Sequence, residues 1–145
     1  MNTSIWMLEN DNDDRYITET TFRELAIDVP LHFFSYSDEL LSALEHDKPS
    51  IIIISSNSVP LNGIEVLQKV KTHPEHNTIP VVILSEISSA KLISECYRAG
   101  ANSYVVKPPT PALTKQKIKA FFRLLVYRGR SALKINCINI VCTYN

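Results

Sequence analysis

Short unbroken apolar runs alternate along this chain with segments whose apolar residues return every three or four positions. The clearest run is Ile51–Ile54, four consecutive isoleucines. It has no polar face, which suits a strand buried on both sides of a parallel sheet. Ser4–Leu8, Leu31–Ser35, Pro80–Leu84 and Asn102–Val106 read as four more strands. Helical spacing fills the gaps. A first helix runs to about Ala26 with Ile17, Phe22 and Leu25, imperfectly spaced. Later helices carry Leu40, Leu41 and Leu44, then Ile64, Leu67 and Val70. A fourth, near Ser88 to Ala99, groups Ile93, Cys96 and Tyr97, and the last carries Ile118, Phe121, Phe122 and Leu125. The punctuation agrees: Asn12 or Asp13 as first cap, Ser37 as second, a turn at Pro60 and Gly63, Gly100 as a stop, and Thr110-Pro111 as a final start.

Five strands alternating with five helices imply right-handed βαβ units and a parallel sheet covered on both faces. Residues 1–130 make one such unit. Residues 131–145 fall outside the count; Ile135–Cys142 is β-prone and reads either as a frayed tail or as a sixth strand on a sheet edge, in this chain or a neighbour's. In open α/β sheets, sites are built on the loops leaving the C-terminal ends of strands. Those loops hold the polar clusters Glu9–Asp14, Ser55–Ser58, Ser85-Glu86 and Lys107.

Composition changes this picture little. Of 145 residues, 45% are apolar and 21% charged, and the net charge is zero, which is ordinary for a globular domain and gives no bulk attraction to nucleic acid or membrane. Charge is unevenly placed: residues 1–50 hold eleven acids and three bases, the rest four and twelve. Lys115, Lys117, Lys119, Arg123, Arg128 and Arg130 would serve a nucleic-acid surface, although a solvated helix face explains them more simply. Three cysteines without a Cys-x-x-Cys pair, and no signal segment, fit reduced thiols in the cytoplasm. No apolar run approaches the ~20 residues of a membrane span. Phosphate-loop and nucleophile-elbow signatures are absent, and His73-x-x-His76 is half a metal site without a third ligand.

The order of the polar clusters carries a resemblance. An acidic cluster follows the first strand, a Pro-x-x-Gly loop (Pro60, Gly63) the third and Ser85 the fourth, while Tyr104 and Lys107-Pro108 mark the fifth. Over roughly residues 4–127 this set resembles the receiver domains of response regulators. The resemblance implies a flavodoxin-like doubly wound α/β fold, a five-stranded parallel sheet in the order 2-1-3-4-5 with helices on both faces. It implies a non-enzymatic module of a two-component phosphorelay, with a histidine kinase or downstream regulator as partner. In that family two acids hold Mg²⁺, an aspartate accepts the phosphoryl group, a Ser or Thr and a Lys bind its oxygens, and an aromatic residue acts as a switch. The matching positions are Glu9 and Asn10 for the acids, Ser56 (four before Pro60) for the phosphoacceptor, Ser85, Lys107 and Tyr104.

Two of the three site carboxylates are therefore missing. Mg²⁺ prefers anionic oxygens, so binding is expected to be weak or absent; Asp11 stands one position beyond the second acid. A serine hydroxyl is a poor nucleophile without a positioned base. The expectation is a pseudo-receiver acting through protein contacts, with a nucleic-acid binder or a small-molecule sensor as alternatives. The resemblance further implies a homodimer through the fourth helix, fifth strand and fifth helix, including Lys91, Glu95 and Asn102, and a cis Lys107–Pro108 bond. A partly buried Lys107 needs an acceptor, and Glu9 or Glu86 is expected to supply it.

Overall fold

A computed structural model describes residues 3–128 and 133–135. Five parallel strands, β1 (Ile5–Leu8), β2 (Leu31–Phe34), β3 (Ile51–Ser55), β4 (Val81–Ser85) and β5 (Ser103–Val106), lie in the order β2-β1-β3-β4-β5. The helices are α1 (Asn12–Glu24), α2 (Ser37–Ala43), α3 (Gly63–Thr72), α4 (Ala90–Arg98) and α5 (Pro111–Leu125). The alternation predicted a parallel sheet covered on both faces, and the order is the doubly wound, flavodoxin-like one that the resemblance implied. Side chains of successive strand residues point to opposite faces, which explains why the isoleucine run has no polar member. Ile52 and Ile54 join Trp6, Leu8 and Ile83 beneath Leu40, Leu67 and Ile93. Ile51 and Ile53 join Ile5, Met7 and Val105 beneath Phe22, Ile118 and Phe122. Full burial of each such side chain stabilises by about 1.5–3 kcal/mol, so both faces of β3 bind the layers together.

Local chemistry sets the loops at the C-terminal edge. The α1 cap is Asp11, not Asn12 or Asp13: its Oδ1 accepts the Asp14 N–H at 3.0 Å. Ser37 does not cap α2; it is the helix's first residue, and its buried hydroxyl accepts the Leu61 N–H at 3.0 Å while its own N–H donates to Val59 O at 2.9 Å. The loop between β3 and α3 is thus held from α2. Asn62 and Glu65 form a reciprocal capping box on α3. Gly63 opens that helix against the end of β3, where an added Cβ would sit 2.8 Å from Ser56 Cα and 2.9 Å from Ser55 O. Because both obstacles are backbone atoms, Gly63→Ala is expected to destabilise by about 1–3 kcal/mol, as overpacking does; an unchanged urea midpoint would show that the loop relaxes freely. Among the described residues the cis peptide is Val59–Pro60. The expected cis bond at Lys107–Pro108 is not found; Lys107 leaves β5 with its N–H on Ser85 O at 2.6 Å and reaches the acids without it.

Beyond α5 the chain enters β6 (Val126–Arg128), which pairs antiparallel with β7 (Leu133–Ile135). This two-stranded unit is separate from the five-stranded parallel sheet. Its strands are close in sequence, and antiparallel neighbours need only a short connection. The rest of the β-prone stretch, 136–142, lies outside the described residues. No described helix is long and apolar enough to cross a membrane.

Candidate functional site

Glu9 follows β1 and is only 2% exposed. Lys107 follows β5, and its Nζ lies 2.6 Å from Asp14 Oδ2 and 3.7 Å from Glu9 Oε1. The ammonium thus finds its direct bond on Asp14, with Glu9 as the longer contact. Glu86 is exposed and makes no ion pair with Lys107 among the described residues. The reason lies in α1. Capping by Asp11 starts the helix so that Asp14 shares the inward face of the buried Thr18, Thr21 and Phe22. Asp14 was not among the sequence candidates, since the family pattern points to positions 9 and 10. Its spacing from Thr18 and Thr21 is the signal that would have placed it at the sheet edge.

The three groups share one charge system. Burial pushes the Glu9 carboxyl up to about 7, its hydrogen bond with Asp14 adds to the rise, and the Lys107 charge only partly opposes it. Burial also acts on Asp14, but the bonds from Glu9 and Lys107 outweigh it and hold that carboxyl below its ordinary value. Lys107 is desolvated too, yet the Asp14 bond and the two carboxylates raise it. The Glu9 carboxyl is thus held above its ordinary value and the Asp14 carboxyl below its own, with the Lys107 ammonium beside both. Glu9 Oε1 is buried without a hydrogen-bond partner.

The second half of the site lies over β3 and β4. The Ser56 hydroxyl donates to Ser85 Oγ at 2.7 Å, and Ser85 Oγ also accepts the Ile87 N–H at 3.0 Å. Ser55 donates to Asn57 Oδ1 at 2.5 Å. Ser56, Ser85, Glu86 and Lys107 line a common cavity, but among the described residues no hydrogen bond joins Lys107 to Ser56. Tyr104 is 3% exposed and donates its hydroxyl proton to Ile87 O at 2.7 Å. Asn10 is exposed. The sequence candidates Glu9, Ser56, Ser85 and Lys107 therefore gather at the C-terminal edge of the sheet, Tyr104 lies within β5 and reaches the β4–α4 loop through its hydroxyl, and Asn10 faces solvent.

The remaining candidates divide differently. The His73 and His76 rings stack at 4.0 Å, and no group of three metal-binding side chains occurs among the described residues. Lys115 and Lys119 are engaged by Glu24 at 2.6 and 3.2 Å, which takes two cations from the basic cluster. Lys91 and Glu95 face each other at 4.0 Å within α4, and Asn102 Oδ1 accepts the Val81 N–H at 3.0 Å.

Residues 5–119 match the family model of the response regulator receiver domain. The chain belongs to this family. Receiver domains are the signalling modules of two-component systems. This one is 25% identical over 75 residues to the chemotaxis protein CheY homolog of Campylobacter jejuni, covering 52% of the chain and 58% of that relative. It is 26% identical over 127 residues to the chemotaxis protein CheY-3 of Vibrio cholerae, covering 86% of the chain and 95% of that relative. The phosphorylated cyanobacterial phytochrome response regulator RcpA superposes with a TM-score of 0.78 at 21% identity, over 86% of this receiver and 94% of that chain.

Proposed function

We propose that this receiver domain signals through protein contacts without accepting a phosphoryl group, with a histidine kinase or a downstream regulator as its partner. The observation that carries the reading is the state of the two groups phosphoryl transfer would need. Ser56 offers a neutral hydroxyl already bonded to Ser85, and Lys107 is held on Asp14. Phosphoryl transfer depends on positioned charge around the nucleophile, and here the lysine's charge serves the acids instead. The residues present fit Mg²⁺ poorly. Glu9 is buried and binds its proton up to about pH 7, Asn10 is neutral, and the Lys107 ammonium already faces both acids. A cytoplasmic setting and self-association through α4, β5 and α5 go with this role; engagement of Lys115 and Lys119 by Glu24 argues against nucleic acid.

Intact-mass spectrometry after incubation with acetyl phosphate and Mg²⁺ tests the reading. The protein is expected to stay unmodified, while Asn10→Asp combined with Ser56→Asp gains a phosphoryl adduct, and more of it with Glu86→Ala. A phosphoryl adduct on the unmutated protein, at Ser56 or a nearby acid, overturns the proposal.

A further inference from the structure

We propose that the outer edge of β2 takes up an extended, cationic segment of a partner protein as an added strand of the sheet. The inference names a surface and a chemistry for the contact-signalling reading and rests on that reading for its role. β2 is the last strand on its side and pairs only with β1. Ile5 and Glu9 donate to the Pro30 and Phe34 carbonyls at 2.9 and 3.0 Å, so the even-numbered residues of this ladder face β1. Leu31, Phe33 and Ser35 turn their N–H and C=O groups the other way, and no hydrogen bond reaches those groups among the described residues. At the opposite edge of the sheet, the Tyr104 N–H already has the Tyr97 hydroxyl oxygen as acceptor, at 3.1 Å.

An edge of this kind is a template for another strand, and proteins usually guard it with lysine, proline, an inward charge or a bulge. Leu31–Phe34 reads Leu-His-Phe-Phe and runs in step with β1 residue for residue, so it carries none of these guards. Its residues are half-buried or exposed, where those of β1, β3 and β4 are all buried. Charge decides what fits. α2 packs against β2, and that helix and the turn after it expose Asp38, Glu39, Glu45 and Asp47, none of them in an ion pair among the described residues. Arg15, whose guanidinium lies over the Phe33 ring, is occupied by Glu9 O and Ser35 Oγ. Main-chain bonds along β2 give affinity for a strand, and the acids select one that bears lysine or arginine. A second copy adding antiparallel at the same edge would bring its own α2 acids beside these, and like charges oppose it.

Amide hydrogen exchange of the full chain, resolved by residue with NMR, tests this with a capped peptide of alternating lysine and valine as the probe. In the free chain the Phe33 amide is expected to exchange fast, and the His32 and Phe34 amides, which face β1, slowly. With peptide at about ten times its Kd, Phe33 exchange should slow about tenfold. The same peptide with every backbone nitrogen methylated should leave Phe33 unchanged, and glutamate in place of lysine should weaken binding at least about fivefold. Asp38→Asn with Glu39→Gln should weaken the lysine peptide about fivefold, the scale of two exposed ion pairs; the methylated peptide decides without any variant. Phe33 protected in the free chain at every protein concentration means that the chain's own residues cover the edge. Protection that rises with protein concentration means that a second copy does. Either result, a Phe33 amide indifferent to the lysine peptide, or equal binding of the glutamate peptide overturns the proposal. The two proposals fail separately: an acetyl phosphate adduct with Phe33 still answering to the peptide sinks only the phosphoryl-free reading, and an indifferent Phe33 without an adduct sinks only the β2 edge.

Discussion

Lys107→Met is expected to lower stability at pH 7 by about 3–5 kcal/mol, the usual cost of removing one partner from a buried ion pair. Methionine replaces much of the aliphatic stem, so the change reports mainly the ammonium. Side-chain exposure is 7% for Lys107, 2% for Glu9 and 17% for Asp14; with the cation gone, an ionised Asp14 would lie against Glu9 without compensation. The pair is weak evidence for net stabilisation in itself, because bringing both charges out of water is costly. The discriminating comparison is therefore a double variant. Lys107→Met with Asp14→Asn removes both charges and should cost clearly less than the two single losses added together, with coupling of about 1–3 kcal/mol. Urea unfolding of the four proteins measures this. Additive losses, or a single loss below about 1 kcal/mol, would mean that Lys107 and Asp14 are not joined as described.

Glu9→Gln should remove part of the domain's pH dependence. A carboxyl whose pKa is higher folded than unfolded binds its proton more tightly in the native state. Its contribution is complete below the ordinary value of 4.5 and is lost as pH rises to about 7. Asp14 behaves oppositely: its lowered value contributes stability that is present above its ordinary 3.8 and lost on acidification. With each pKa unit equal to about 1.4 kcal/mol, glutamine at position 9 should gain about 2–3 kcal/mol relative to the unmutated protein between pH 5 and pH 8. Thermal or urea unfolding at several pH values shows it. A stability difference that stays flat with pH would mean that Glu9 ionises as an ordinary exposed carboxyl, and one of the opposite sign that its folded value is lowered.

Much of the fold was legible because its signals are local. Ile51–Ile54 cannot form an amphipathic element of either period, so a doubly covered strand was the remaining choice. Gly100, with φ at 104°, ends the unit containing α4 where a glycine was expected to stop it. The site was legible by position and less so by contact. Ser85 ends β4 and Tyr104 lies within β5, as expected, yet the acceptor for Lys107 came from the inward face of α1, at Asp14. Ser37 shows the same limit. A serine at the start of a helix reads as a cap, and only the path of the β3–α3 loop reveals that its hydroxyl serves Leu61.

That contact has a consequence for recognition. Val59 and Leu61 are tied to Ser37, Ser58 donates to the Leu61 carbonyl, and Gly63 donates to the Ser56 carbonyl. The chain leaving Ser56 is therefore ordered during folding, by groups on α2 and α3, before any partner arrives. A protein that docks on this corner has little backbone entropy left to remove, so its affinity is set by surface match and desolvation rather than by loop closure. Exposed Val59 and Tyr36, at 43% and 49%, are held at that corner as features of a rigid shape.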